Sequence, residues 1–275
     1  MEKDEIKKVV KEGYARRAAQ GSPCCIPADP CCGGGGARSI SEIVGYTGEE
    51  LRSVPEGANM GLGCGNPVAI ASVKEGETVI DLGCGGGLDC FLAANKVGNT
   101  GRVIGIDMTP EMIEKARENA KKGNYTNVEF RLGEIENLPV ADNCGDLVIS
   151  NCVINLSPDK PRVFREVFRV LKPGGRIMIS DLVLTRELPE FLKDSADAYI
   201  SCLAGAVKKD EYTGAIRQAG FREVEIIDER AFSLDCYTDD PIAKALMENT
   251  GISPEQLQEV AAAIVSIKVR GVKAA

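Results

Sequence analysis

The stretch TVIDLGCGGGLD, Thr78 to Asp89, decides the fold. Val79, Ile80 and Leu82 form the short apolar run that a parallel strand buried on both faces requires, and Gly83 to Gly87 end it at once. Glycines directly after a strand let the chain turn sharply and let a ligand approach the backbone. The helix that follows, from about Leu88 to Lys96, offers unpaired N–H groups and a positive dipole end at its start. The spacing is not that of a dinucleotide loop, because Leu88 stands where G-x-G-x-x-G needs its third glycine. A tight turn with no ligand is the alternative. Against it, Asp107 ends the next strand in the position of a ribose-binding acid.

Outward from this loop, strands and helices alternate. A second strand spans Arg102 to Asp107, and Thr109 and Pro110 mark the start of a helix with Met112, Ile113 and Ala116 facing inward. Val128, Phe130 and Leu132 alternate along a third strand, and Asp146 to Ser150 is the fourth. Val163, Phe164, Val167 and Leu171 stripe a helix that Lys172 to Gly175 stops. Arg176 to Ser180, Glu223 to Ile227, and Val265, Ile267 and Val269 supply the fifth, sixth and seventh strands. Such alternation predicts an α/β doubly wound, seven-stranded, mostly parallel sheet. Residues 182–220 carry helical patterning without a strand, which predicts a helical cap between strands five and six. At the other end, Ile6, Val9, Val10 and Tyr14 predict a helix to about Gln20, before GSPCCIPADPCCGGGG breaks regular structure. The expected division is 1–40, a helix and a mobile Cys/Gly-rich segment, then one domain over 41–275.

Composition narrows the chemistry. A net charge of −8 would repel a phosphate backbone, so no nucleic-acid partner is expected. No run approaches the ~20 apolar residues that span a bilayer, so the expectation is a cytoplasmic protein with no membrane partner. The count of histidines is 0, which removes every Ser-His-Asp triad, His base and Cys2His2 zinc site within the chain. There are 11 cysteines, and in a reducing compartment these read as ligands, redox thiols or buried apolar residues before disulfides. Cys64, Cys152 and Cys202 flank or follow the glycine loop and point to a thiophilic element, although any one of them alone would more often be core. Cys90 and Cys236 read as structural, and Cys144 as part of a surface turn.

DLGCGGG, the acid ending RVIGID, and LKPGGR at Leu171 to Arg176 together resemble the class I S-adenosylmethionine-dependent methyltransferases, from about Ser41 to Lys273. ANMGLGCGNP (Ala58 to Pro67), SNCVINLSPDK (Ser150 to Lys160), SCLAGA (Ser201 to Ala206) and KVRGVK (Lys268 to Lys273) are similar to the arsenite methyltransferases within that superfamily. The resemblance implies that Cys64, Cys152 and Cys202 bind trivalent arsenic. It also implies that an N-terminal cysteine joins Cys64 in redox steps. Cys32 is the choice among the pairs Cys24–Cys25 and Cys31–Cys32, since the glycines after it could let it reach Cys64. For the cofactor, S-adenosylmethionine, it implies Asp81, Gly83, Cys84 and Gly85 in the loop, with Asp107 on the ribose hydroxyls and Met108 on the adenine. Glu134 and Ile135 would add adenine contacts, and Asn151 would face the methionine end. Cys84 is expected to be a small buried filler with a backbone contact to the cofactor. Many members carry a further C-terminal region that this sequence, ending at Ala275, is expected to lack.

Three thiolates suit trivalent arsenic, a soft centre that forms pyramidal trithiolates and keeps a nucleophilic lone pair. A methyl sulfonium needs no acid to activate it, so the absence of histidine is no obstacle. The expected partners are an arsenite–thiol complex as substrate and a cellular thiol reductant, glutathione or thioredoxin-type, as cosubstrate, acting on a monomer. Two other classes remain open. A methyltransferase for a small organic acceptor would use the glycine loop but not the cysteines, and a non-catalytic arsenic-binding protein would use the cysteines but not Asp107.

Overall fold

The computed structural model describes residues 2–20, 37–188, 199–200, 202–231 and 254–275. Cys24, Cys25, Cys31, Cys32 and Cys236 lie outside them. At the centre stands β1 (Thr78–Leu82), every residue of which is buried. Successive side chains serve opposite faces: Ile80 and Leu82 join one apolar layer, and Val79 joins the other. Burial on both faces is why the run reads as continuously apolar. β1 pairs in parallel with β2 (Arg102–Asp107) and β4 (Gly145–Asn151). β3 (Val128–Leu132) and β5 (Leu171–Leu184) extend the parallel part on either side. β6 (Phe221–Ala231) and β7 (Ile264–Lys273) complete a sheet of order β3-β2-β1-β4-β5-β7-β6, in which β7 is antiparallel to both neighbours. The expected doubly wound, mostly parallel sheet is therefore present.

Helices cover both faces. α1 (Lys3–Gln20), α2 (Ala37–Ile43), α3 (Gly48–Arg52) and α4 (Pro67–Ile70) precede β1. α5 (Leu88–Val97) and α6 (Pro110–Lys122) bury Phe91, Ala94, Ile113 and Ala116 on one side. α7 (Lys160–Val170) and α8 (Lys209–Gln218) bury Val163, Phe164, Val167, Tyr212 and Ile216 on the other; α9 (Pro254–Ala261) leads into β7. α7 begins at Asp159, whose side chain accepts the Arg162 N–H, with Pro161 in the first turn, and each of its fully buried side chains contributes roughly 1.5–3 kcal/mol. Phe164 meets Tyr212 edge-on at 5.5 Å, and Phe164→Ala would cost about 3–5 kcal/mol.

Several elements differ from expectation for reasons of pairing. β5 runs on to Leu184 because β7 pairs with it from Arg176↔Val272 to Leu184↔Ile264, so residues 182–184, expected in the cap, are strand. α8, also within that stretch, packs beside α7 through Tyr212 and Ile216 instead of standing above the strand ends. Leu132 is 52% exposed because β3 is an edge strand. Lys268 is buried because β7 is flanked on both sides, and its ammonium pairs with Asp228 at 3.0 Å. Thr109 caps α6 without a side-chain hydrogen bond. Among the described residues no helix is long and apolar enough to cross a membrane.

Candidate active site

β1 and β4 lie side by side while the chain leaves them toward different neighbours, and open sheets bind ligands at such a divergence. At this place opens a cavity of about 1040 Å³, its mouth included. The glycine loop forms its floor. Gly83 has φ +66, and a Cβ there would stand 2.4 Å from a Val153 methyl, so no side chain fits. Gly85 has φ +50 and nothing within 4 Å of where its Cβ would be, so it faces the open space as a cradle. Asp107 is almost fully buried at the end of β2, where it accepts the Gly85 N–H at 3.0 Å and the Thr109 N–H at 2.9 Å. Burial raises its pKa, and those amides oppose the rise.

Met108 and Ile135 line the same cavity. Glu134 does not; its carboxylate takes the Lys7 ammonium at 2.6 Å, and Glu136 supplies the buried lining carboxylate instead. Lys7, Val10 and Tyr14 bring α1 over the cavity, a role its i, i+4 apolar stripe hinted at without naming the surface it covers. Asp81 lies below the loop, raised in pKa by burial and accepting the Cys90 thiol at 3.2 Å. Cys84 is buried with its thiol pushed up to about 11, chiefly by burial. Its N–H donates to Ile106 and its carbonyl accepts from Gly87, at 3.0 and 2.8 Å. Cys144 is half-buried and accepts from Arg102 at 3.1 Å.

Asn151, the last residue of β4, is the hub between cavity and thiols. Its Nδ2 donates to the Tyr46 hydroxyl at 2.8 Å, the Gly65 carbonyl at 2.7 Å and Asp89 at 3.1 Å, while its Oδ1 accepts the Cys64 N–H at 3.0 Å. Tyr46 in turn donates to Asp89 at 2.7 Å. Burial raises Asp89 to about 6 against these hydrogen bonds. Tyr46 and Asp89 escaped the sequence reading; Asp89 closed the quoted loop, but nothing local marks Tyr46 as its partner.

Next along the chain, Cys152 turns the other way. It has φ +60 and Cys202 has φ +64, both in the left-handed region that costs a non-glycine residue of order 1–3 kcal/mol. Cys152 donates its N–H to the Ser180 carbonyl at 2.8 Å and lines the cavity wall. The Cys64 and Cys152 sulfurs and an Asp181 oxygen lie within 4.8 Å of one another. Cys202 Sγ donates to the Cys152 carbonyl at 2.9 Å. Cys64 is held by the Ser266 hydroxyl, which donates to its carbonyl at 3.0 Å, and its sulfur is 3.9 Å from Ser180 Oγ. The neighbouring Cys202 and Cys64 thiols, then burial, push the Cys152 thiol well above the usual range. Cys152 is therefore held as a neutral thiol. A thiophilic centre would find the Cys64 and Cys152 sulfurs already within 4.8 Å of each other.

The family model for the methyltransferase domain matches residues 73–220. The arsenite methyltransferase of Halobacterium salinarum is 50% identical over 230 residues, 81% of this chain and 59% of its own length. That of Aquipseudomonas alcaligenes is 38% identical over 70% of this chain and 56% of its own length. The chain thus spans a little over half of the curated relatives it matches. The crystal structure of an arsenic(III) S-adenosylmethionine methyltransferase from Chlamydomonas reinhardtii superposes with a TM-score of 0.64 at 35% identity, covering 86% of this chain and 73% of that one.

Proposed function

The chain belongs to the methyltransferase family, in its arsenite methyltransferase branch, and on that premise we propose that it transfers methyl groups from S-adenosylmethionine to trivalent arsenic held by Cys64, Cys152 and Cys202. The observation that carries the reading is that Cys64 and Cys152, remote in sequence, bring their sulfurs within 4.8 Å of each other beside the cavity that Cys152 lines, with the Cys202 thiol donating to the Cys152 carbonyl.

Gly83 and Gly85 would admit the cofactor's methionine portion, Asp107 would accept from the ribose hydroxyls, and Met108 and Ile135 would flank the adenine. Asn151 and Asp89 face the amino-acid end. When bound, the cofactor supplies an electrophilic methyl sulfonium that the arsenic lone pair attacks without acid assistance. The chain's part is alignment: reactants held in line can save about 7–11 kcal/mol in favourable cases. α1 lies over part of the cavity through Lys7, Val10 and Tyr14. Coordination of arsenic removes the thiol protons that burial and crowding hold in place on Cys152.

Methylated arsenic is formally pentavalent and needs two electrons to return to the trivalent state. A dithiol closing to a disulfide provides them, and a glutathione- or thioredoxin-type thiol reopens it by exchange. Cys64 is assigned that role with Cys32 as its partner, in a cytoplasmic monomer. Purified protein, S-adenosylmethionine, arsenite and thiol should yield methylated arsenicals resolved by mass. Cofactor binding with no methylated arsenic would overturn the assignment of the acceptor.

A further inference from the structure

The thiol pair has a third neighbour of a different kind. Cys64, Cys152 and Asp181 place two sulfurs and one carboxylate oxygen within 4.8 Å of one another, and we propose that they form a zinc site that excludes arsenic from the same thiols. The zinc site stands on its own geometry; the exclusion of arsenic rests on the function proposed above.

Zinc takes four tetrahedral ligands, sulfur at about 2.3 Å and carboxylate oxygen at about 2.0–2.2 Å, and often leaves one position to an exogenous group. Neighbouring donors in such a tetrahedron stand roughly 3.4–3.8 Å apart, so the present spacing needs only a small closure. Asp181 is already built as a ligand. It is fully buried; Oδ1 accepts from Asn155 Nδ2 and the Leu182 N–H, both at 2.9 Å, and Oδ2 accepts from the Tyr212 hydroxyl at 2.9 Å. Oδ2 keeps a lone pair free. Hydrogen bonds of this sort hold a ligating carboxylate in orientation. Two thiolates and a carboxylate around a dication carry a net charge of −1.

Asp181 separates the two occupants. Trivalent arsenic selects sulfur and has no use for the carboxylate, whereas zinc, borderline in softness, accepts mixed sulfur and oxygen sets. Both need Cys64 and Cys152, so each excludes the other. Zinc coordination would displace the thiol protons to solvent, with no change of oxidation state.

The test uses the full chain, reduced, with Cys24, Cys25, Cys31, Cys32 and Cys236 replaced by serine so that they offer no thiolate. Cobalt(II) reports tetrahedral geometry and sulfur-to-metal charge transfer, and zinc displaces it to give the zinc affinity. One equivalent should bind with the thiolate signature. Tyr212→Phe should weaken zinc by about 10-fold, within the range seen when a metal's supporting shell is cut, and Asp181→Asn, which removes a ligand, by about 100-fold or more. Cys202→Ser should keep zinc affinity while losing arsenic affinity, and one equivalent of zinc should raise the apparent Kd for arsenite. Unchanged zinc affinity in Asp181→Asn would overturn the site, as would a loss in Cys202→Ser equal to that in Cys64→Ser. If Asp181→Asn fails to melt cooperatively, Tyr212→Phe decides, and wild-type zinc affinity there sinks the proposal.

Discussion

Asp107→Ala separates the cofactor half of the site from the acceptor half. In the folded chain the carboxylate accepts the Gly85 N–H through one oxygen and the Thr109 N–H through the other, and a bound ribose would add one hydroxyl to each. A hydrogen bond to a charged group is worth about 1.5–3 kcal/mol, so losing two removes roughly 3–6 kcal/mol, or a factor of about 10²–10⁴ in affinity. The same substitution takes the acceptor from two amides beside the cavity. Water entering from the open mouth can replace it there, so the cost in stability should stay near 1–3 kcal/mol. Asp107→Asn keeps an acceptor oxygen without the charge and should fall between, at roughly 10–100-fold weaker cofactor binding. The chain has no tryptophan, so the assay is titration calorimetry with S-adenosylmethionine, run beside an arsenite titration of the same sample. Arsenite affinity should be unchanged. Wild-type cofactor affinity in Asp107→Ala would refute the assignment of the β2 end as the ribose site.

Cys152→Ser or Cys202→Ser should abolish methylation of both inorganic and monomethylated arsenic, while Cys64→Ser should damage the inorganic reaction more, since a monomethylated centre needs only two thiolates; equal turnover by all three on both substrates would eliminate the triad. Asn151→Ala takes partners from Tyr46, Asp89, Gly65 and Cys64 at once, so it should weaken cofactor and arsenite binding together, by about tenfold each for a hydrogen bond near 1.5 kcal/mol; calorimetry showing loss of only one would contradict its place between them. Burial holds Asp89 and Asp181 at about 6, above the roughly 3.9 of an unfolded Asp. The folded state thus keeps protons that the unfolded chain has released, and stability on the order of 3 kcal/mol per group is present below pH ~4 and lost as pH rises through 6. Tm should therefore climb between pH 7 and 5, with a smaller climb in Asp181→Asn; a Tm that falls over that interval would show these aspartates are ionised in the folded protein.

What was legible from the residues is what local chemistry dictates. An apolar run cut by glycines must be a buried strand meeting a turn, and Thr109–Pro110 must start a helix, whatever surrounds them. The length of β5 was not legible, because its last residues are strand only through pairing with β7, some 80 positions away. Nor was the burial of Lys268, which depends on β6 closing the far side of β7. In the site, the positions of Asp107 and Gly85 were visible because a strand ending in an acid and a glycine turn after a strand are local patterns, and the structure places both at the cavity. Tyr46 and Asp181 were not, since an aromatic before a capping threonine and a lone acid in a largely apolar strand give no local sign of their partners.

The pair Asn151–Cys152 shows why the acceptor half resists a purely local reading. In a strand, successive side chains already face opposite ways, and the left-handed φ at Cys152 turns the chain just as β4 ends. Asn151 is committed to the cavity and to the Cys64 amide, and Cys152 to the sulfurs and Asp181. A displacement of the Cys64 loop by a ligand at the thiols must therefore pull on the residue that also holds Asp89 and Tyr46. Any coupling between cavity and thiols would need no long-range path, because its two anchor points, Asn151 and Cys152, are consecutive residues where β4 ends.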